Sequence, residues 1–233
     1  MARKKNLLQQ TARKLVTFTN PHSFVAEQFR TLRTNITFSS PDADIRTIVV
    51  TSAGPLEGKS TTSANLAVVF AQEGKKVILV DGDMRKPTTH YTFHIENRTG
   101  LSSLLTRQTT IEKAIQRTLV DQLDLLTCGP IPPNPAELLL SKSMDALIHQ
   151  LSNMYDLVIF DAPPVLSVAD GQILANKCDG TILVINSGYT KKEMALKAKE
   201  AIEFANSRII GAVLNNFILS KESGYYQYYE QKD

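Results

Sequence analysis

The chain alternates short, uniformly apolar runs with longer segments in which apolar residues recur every three or four positions. The short runs are rich in β-branched residues and predict strands that are covered on both faces. These predicted strands are 47–51, 77–81, 123–127, 157–161, 181–186 and 209–214. The longer segments predict helices over 22–37, 60–73, 110–117, 135–151, 168–177 and 191–206. This order predicts an α/β fold with a doubly wound, mostly parallel sheet.

Length and composition are those of a compact globular protein. The chain has 233 residues, of which 42% are hydrophobic and 21% charged, so one domain can bury a sizeable core. No apolar run approaches the roughly 18 residues of a membrane-spanning helix, and the basic N-terminus lacks the apolar segment of a secretory signal. We therefore expect a cytoplasmic protein in which Cys128 and Cys178 are buried thiols rather than a disulfide.

Positive charge is concentrated at the N-terminus. Residues 1–14 contain five basic residues and no acid, so the total charge of +3 leaves −2 for the rest of the chain. A body of this charge is not expected to bind nucleic acid. The basic segment either is a solvated arm or approaches an acidic partner or anionic lipid, at about 1 kcal/mol per charge near a membrane. We predict a flexible arm over 1–21, one domain over 22–222 and a mobile tail over 223–233.

A phosphate-binding motif follows the first predicted strand. The segment 53–60 reads AGPLEGKS and matches the Walker A pattern, with alanine in place of the first glycine, between a predicted strand and a predicted helix. Backbone N–H groups of such a loop bind phosphate oxygens, while Lys59 reaches the phosphates and the Ser60 hydroxyl can bind Mg²⁺. Gly58 is expected where a Cβ would obstruct the phosphate. The predicted nucleotide-binding residues are Ala53, Gly54, Pro55, Leu56, Glu57, Gly58, Lys59, Ser60 and Thr61.

Aspartates end two further predicted strands. Asp81 and Asp161 each close an apolar run, and Asp83 follows two residues after Asp81. The carboxyl ends of parallel strands meet where such folds bind ligands. Carboxylates there can hold Mg²⁺ or accept a proton from an attacking hydroxyl, although a cap or turn role is the alternative. Beside a phosphate loop, we predict Ser60, Asp81 and Asp161 as metal ligands, and Lys59, Asp81, Asp83 and Asp161 as catalytic residues.

Four motifs together resemble one family. They are the Walker A loop, a strand that ends in Asp-x-Asp-x-Arg at 81–85, a strand that ends in Asp-x-Pro-Pro at 161–164, and a cluster of tyrosines near the C-terminus. The segment 129–138, GPIPPNPAEL, is also similar to a stretch typical of this family. From about residue 22 onward, the chain resembles the bacterial protein-tyrosine kinases (BY-kinases), in the form whose cytoplasmic kinase is separate from its membrane activator.

The resemblance implies a role for each residue of the phosphate and carboxylate motifs. Lys59 and Ser60 would bind the phosphates and Mg²⁺ of Mg·ATP. Asp161 would be the Walker B carboxylate that supports the metal. Asp81 and Asp83 would form the second Walker motif, in which Asp81 is the better candidate for activating the tyrosine hydroxyl.

The resemblance also implies an assembly and a target. Glu27, Arg30 and Arg33 resemble the family's oligomerisation motif, and the homo-oligomer that this implies is expected to be a ring. Their spacing places them on one helical face in any case. Without the resemblance, the terminal tyrosines would equally suit an aromatic strand or a docking peptide. With it, the phosphoacceptors are Tyr225, Tyr226, Tyr228 and Tyr229.

The function implied is an ATP-dependent protein-tyrosine kinase that autophosphorylates between subunits and phosphorylates other proteins. It would regulate capsule or exopolysaccharide synthesis and export, through a membrane modulator whose cytosolic segment activates it. The alternative is a nucleotide-switch ATPase of the division-site or partition type, but those proteins place a signature lysine where this chain has Gly54. An ATP-binding scaffold that gates an export complex fits the same residues. Leu56 replaces a glycine common in the family, which bears on the geometry of the loop.

Overall fold

A seven-stranded sheet forms the centre of the molecule. The computed structural model describes residues 14–39 and 45–218. The strands are β1 (Thr47–Ser52), β2 (Val77–Asp81), β3 (Ile115–Arg117), β4 (Leu123–Leu126), β5 (Leu157–Asp161), β6 (Gly180–Asn186) and β7 (Ile209–Asn215). Their order across the sheet is β3-β4-β2-β5-β1-β6-β7. All neighbouring strands are parallel except β3 and β4, which are antiparallel.

Helices connect the strands and precede the first of them. They are α1 (Val16–Thr19), α2 (Phe24–Phe38), α3 (Lys59–Gln72), α4 (Thr89–Phe93), α5 (Leu101–Leu105), α6 (Ile111–Ala114), α7 (Pro135–Leu140), α8 (Lys142–Met154), α9 (Ala169–Lys177) and α10 (Lys192–Phe204). Within the described ranges, every helix is too short or too polar to span a bilayer.

Both faces of the sheet are covered, so successive residues of an inner strand enter different cores. Ile48 and Val50 of β1 belong to a buried apolar cluster shared with α3, whereas Val49 belongs to the cluster on the opposite face. This alternation follows from the two-residue period of a strand. The predicted doubly wound, mostly parallel α/β fold is thus confirmed.

The helix that follows the phosphate loop is buried on almost every side. All residues of α3 from Thr62 to Ala71 are buried, because the helix lies between the sheet and the N-terminal helices α1 and α2. A helix enclosed in this way has few alternative positions. The start of α3 at Lys59 is therefore a fixed point beside the carboxyl ends of the strands.

Six of the strands agree with the sequence-based prediction to within one residue, but two predicted helices are wrong in detail. The helix predicted over 110–117 ends at Ala114, and residues 115–117 form β3, an edge strand paired with β4. The helix predicted over 135–151 is two helices separated at Ser141, whose backbone is extended and whose hydroxyl accepts a bond from the Met144 N–H. This serine is an N-cap that the sequence pattern did not reveal.

The N-terminal segment also differs from the prediction. Residues 14–21 were expected in a flexible arm, yet α1 packs on α3 and Thr17 is fully buried. The Asn65 side chain accepts from the Thr17 N–H at 3.0 Å and its hydroxyl at 2.8 Å, and donates to the Lys14 carbonyl at 2.9 Å. The structured part thus begins by residue 14, while the rest of the predicted arm lies outside the described residues.

Candidate nucleotide and catalytic site

The predicted phosphate loop lies between β1 and α3, at the carboxyl edge of the sheet. Gly58 caps α3 with φ of +98° and has no side chain to satisfy the first N–H groups of the helix. Such N–H groups have no intrahelical partner and, with the helix dipole, favour an anion. Leu56 also has a positive φ, +63°, and the residue is 81% exposed. The backbone here requires the left-handed conformation that glycine adopts most easily.

The loop is held by side chains on both of its sides. The buried Glu57 carboxylate accepts hydrogen bonds from the N–H groups of Ala53 at 3.2 Å and Gly54 at 3.1 Å. From the end of β7, the Asn215 amide donates to the Glu57 carbonyl at 3.0 Å. A Cβ on Gly58 would lie 2.0 Å from that amide nitrogen. Glycine is therefore favoured here by its positive φ and by the close approach of Asn215, a neighbour that the sequence analysis did not anticipate.

Lys59 projects from the start of α3 into a group of carboxylates. Its Nζ lies 3.0 Å from Asp83 Oδ2, 3.7 Å from Asp161 Oδ1 and 3.3 Å from the Ser60 hydroxyl. Burial disfavours the ammonium, but the charges of Asp161, Asp83 and Asp81 outweigh it and raise the pKa of Lys59. The lysine is therefore a permanent cation at the mouth of the phosphate loop.

Asp81 and Asp161 occupy paired positions on β2 and β5, and both are fully buried. Burial, together with the negative charge of Asp161, raises the pKa of Asp81 to about 7. Asp81 Oδ2 accepts from the Thr88 and Thr89 N–H groups and, at 2.6 Å, from the Thr89 hydroxyl. One oxygen of Asp81 therefore has the capping role that was the alternative to a catalytic one, because it binds the start of the next helix.

The other oxygen of Asp81 is suited to a different partner. Its Oδ1 is buried and accepts no hydrogen bond from the residues that the structure describes. A buried, unsatisfied carboxylate oxygen is costly unless something binds it. Mg²⁺ prefers carboxylate and hydroxyl oxygens and retains several waters, so the donor set of Asp81, Asp161 and Ser60 fits that ion.

An ion pair that the sequence analysis missed links the two carboxylate loops. Arg85 donates through Nε to Asp170 Oδ2 at 2.8 Å and through Nη2 to Asp170 Oδ1 at 3.0 Å. Asp170 is fully buried in the first turn of α9, whereas the Arg85 side chain is 45% exposed. The pair ties the segment after β2, which carries Asp83, to the segment after β5. The arginine was visible in the Asp-x-Asp-x-Arg motif, but nothing local pointed to its partner.

The three residues of the predicted oligomerisation motif lie on α2, in the helix predicted for them. Arg30 pairs with Glu27 at 2.8 Å and donates to the Pro21 carbonyl. Arg33 donates to the Val69 carbonyl of α3 at 3.1 Å and lies 3.5 Å from the carboxylate of Glu73. Arg33 therefore fastens α2 to the phosphate-loop helix within one chain, and the role of these residues between chains stays a prediction.

The predicted phosphoacceptors Tyr225, Tyr226, Tyr228 and Tyr229 lie outside the described residues. Among tyrosines that the structure describes, Tyr155 is buried and donates its hydroxyl to Asp124 at 2.8 Å. Burial and the Asp124 carboxylate raise the pKa of Tyr155 above its usual range. This side chain is a poor acceptor of a phosphoryl group without local unfolding.

Comparison with known proteins agrees with this arrangement. The AAA domain model matches residues 45–207. The chain is 53% identical over 233 residues to the tyrosine-protein kinase YwqD of Bacillus subtilis, covering 100% of this chain and 98% of that protein. It is 41% identical over 229 residues to the putative tyrosine-protein kinase CapB of Staphylococcus aureus, covering 98% and 99%. The chain belongs to the bacterial tyrosine-protein kinase family. This BY-kinase assignment confirms the resemblance seen in the sequence.

Solved structures place the fold in the same family. The kinase domain of the Escherichia coli tyrosine kinase ETK superposes with a TM-score of 0.83 at 31% identity, covering 92% of this chain and 86% of that one. The chimerical protein CapA2B2 gives a TM-score of 0.85 at 44% identity, covering 89% and 93%. A septum site-determining protein of Pyrococcus horikoshii, at 24% identity and a TM-score of 0.65, shares the fold.

Proposed function

We propose that this BY-kinase transfers the γ-phosphoryl group of ATP to tyrosine, with the phosphate loop 53–61 as the nucleotide site. The convergence of Lys59, Asp81, Asp83 and Asp161 beside that loop supports the proposal most directly. A site that binds a polyanion needs the loop N–H groups and a fixed cation. A site that activates a phenol, whose pKa is near 10, also needs a proton acceptor.

In the proposed reaction, the tyrosine oxygen forms a bond to the γ-phosphorus while the bond from that phosphorus to the β,γ-bridging oxygen breaks. Lys59 would hold the β- and γ-phosphates, and Asp81 would accept the phenolic proton. Burial and the negative charge of Asp161 raise the pKa of Asp81, which makes it a stronger proton acceptor than an ordinary carboxylate. Ser60 and Asp161, with Asp81, would hold Mg²⁺, which neutralises charge on the phosphates. ADP and phosphotyrosine are the products.

The acceptors proposed are Tyr225, Tyr226, Tyr228 and Tyr229, modified by a neighbouring subunit of a homo-oligomer. Glu27, Arg30 and Arg33 on α2 would contribute to the contact between subunits. Several phosphates, each adding about −1.5 to −2 charge, would expel the tail from the acidic active site and weaken the oligomer. Control by the cytosolic segment of a membrane modulator, recruitment to the inner face of the membrane, and regulation of capsule or exopolysaccharide export complete the proposal.

Phosphosite mass spectrometry tests the proposed acceptors. The protein is expressed with the cytosolic segment of its membrane partner, beside Lys59→Met and a variant with all four tail tyrosines changed to Phe. Phosphate confined to Tyr225–Tyr229 in the wild type is expected. The Lys59→Met protein should carry none, while the Phe variant should keep nucleotide binding and lose most phosphate.

Three results would change the assignment. Full phosphorylation of Lys59→Met would refute the phosphate site. Label that persists at Tyr91, Tyr155 or Tyr189 would refute the tail as acceptor. Unmodified tyrosines with intact ATP hydrolysis would favour a nucleotide-switch ATPase instead.

A further inference from the structure

The phosphate loop contains a carboxylate that the proposed reaction does not use. Glu57 is only 3% exposed, and its two oxygens accept from the N–H groups of Ala53 and Gly54. A negative charge beside a polyanion site opposes binding of the polyanion. The buried N–H of Ala53 and the partly buried N–H of Gly54, however, lie beyond the end of β1 and need an acceptor. Glu57 therefore acts on the shape of the loop, by joining its first residues to its middle.

Two amides hold the loop from the other side. Asn215, at the end of β7, donates to the Glu57 carbonyl at 3.0 Å, and Asn186, at the end of β6, donates to the Leu56 carbonyl at 3.4 Å. In a planar trans peptide, the C=O and the N–H of one unit point in opposite directions. The Leu56 carbonyl shares its peptide unit with the Glu57 N–H, and the Glu57 carbonyl shares its unit with the Gly58 N–H. Because both carbonyls point toward the ends of β6 and β7, these two N–H groups point away from the strand ends.

We propose that Glu57 and Asn215 are positioning residues that hold the phosphate loop in its anion-binding shape. By binding the Glu57 carbonyl, Asn215 directs the Gly58 N–H toward the concave side of the loop. The Glu57 carboxylate, by binding the Ala53 and Gly54 N–H groups, fixes the position of the Glu57–Gly58 peptide relative to the start of the loop. Successive N–H groups turned to one side form the kind of concavity that binds phosphate. The inference rests on the proposed function, since it assigns the phosphates of the nucleotide to this loop.

The proposal gives Asn215 a different role from that of a base contact. At the end of β7, this residue is also a candidate for adenine recognition on position alone. A positioning residue affects every ligand that uses the loop, whereas a base contact affects only ligands that contain adenine. Inorganic tripolyphosphate has phosphates and no base, so it separates the two roles.

Binding of Mg·ATP and of Mg·tripolyphosphate is measured by calorimetry for the wild type, Asn215→Ala, Glu57→Ala and Glu57→Gln. We expect Asn215→Ala and Glu57→Ala to weaken both ligands by the same factor, roughly tenfold for the loss of a hydrogen bond that orients a binding group. Glu57→Gln keeps one acceptor oxygen and should lose less affinity for both ligands than Glu57→Ala. Asn176→Ala is the matched control, because its amide also donates to a backbone carbonyl, that of Ala205 at 2.8 Å, away from the loop.

Thermal midpoints of the ligand-free proteins separate positioning from general stability. Asn176→Ala should lower the midpoint without changing either affinity. If Asn215→Ala weakens ATP alone, Asn215 is a base contact and the proposal is overturned. Unchanged affinity for both ligands in Glu57→Ala, or in Glu57→Gln where the alanine variant does not fold, overturns it as well. Failure of the wild type to bind either ligand would instead refute the nucleotide site.

Discussion

The Arg85–Asp170 pair predicts an unequal response to the loss of its two members. Asp170 is fully buried and receives both bonds of the guanidinium, while the Arg85 side chain is 45% exposed. Arg85→Ala leaves a carboxylate in the interior without its cation, and breaking a buried pair in this way costs about 3–5 kcal/mol. Asp170→Ala leaves an arginine that can turn into water. It loses a half-exposed ion pair and a favourable charge at the start of α9, together about 1–2 kcal/mol.

The difference of about 2 kcal/mol between the two variants has a further consequence. In the double variant neither charge remains, so adding Asp170→Ala to Arg85→Ala should restore stability rather than reduce it.

Urea denaturation of the four proteins at pH 8, followed by circular dichroism, measures these differences. The expected order of stability at pH 8 is wild type, then Asp170→Ala and the double variant together, then Arg85→Ala. Equal losses in the two single variants would refute the reasoning, as would a double variant less stable than Arg85→Ala. Either result would mean that the pair is hydrated rather than buried on the Asp170 side.

Three other predictions concern separate parts of the structure. Burial, with the nearby aspartates, raises the pKa of Cys128 to about 12. An unfolded thiol ionises near pH 8.5, so Cys128 should contribute a loss of stability of about 2 kcal/mol between pH 8.5 and pH 10. Burial also raises the pKa of Cys178 to about 12, and that thiol contributes separately. An equal loss of stability over this range in wild type and Cys128→Ala, measured by urea denaturation, would therefore contradict the prediction. Gly58→Ala should weaken the binding of Mg·ATP at least tenfold, roughly, because the new Cβ would lie 2.0 Å from the Asn215 amide nitrogen. Gly74→Ala is the control, since Gly74 also has a positive φ, +95°, but lies in open space; it should cost about 1 kcal/mol of stability and leave the affinity unchanged. Asn65→Ala removes the two hydrogen bonds that the Asn65 side chain accepts from Thr17 and should destabilise the protein by about 2 kcal/mol; unchanged hydrogen exchange at the Thr17 amide would count against this.

Much of the fold and the chemistry could be predicted because the signals are local. A strand buried on both faces is a short apolar run in any setting, so six strands were located to within one residue. The phosphate loop is likewise a contiguous motif, and the aspartates directly follow two of those runs. β3 was not predicted because three residues at a sheet edge are too few to show a periodic pattern. The end of α7 at Ser141 was not predicted because a single capping residue interrupts an otherwise continuous helical pattern.

The sequence by itself therefore determined which residue types the site contains and which elements carry them. Only the tertiary structure decided how they act on one another. Asn215 reaches Glu57 across 158 positions of the chain, and Arg85 reaches Asp170 across 85. Such pairs are set by strand order and register, which bring distant segments to one edge of the sheet, and no local pattern encodes them. The physical reason is that a side chain's partner, burial and pKa depend on everything packed around it, not on its neighbours in sequence.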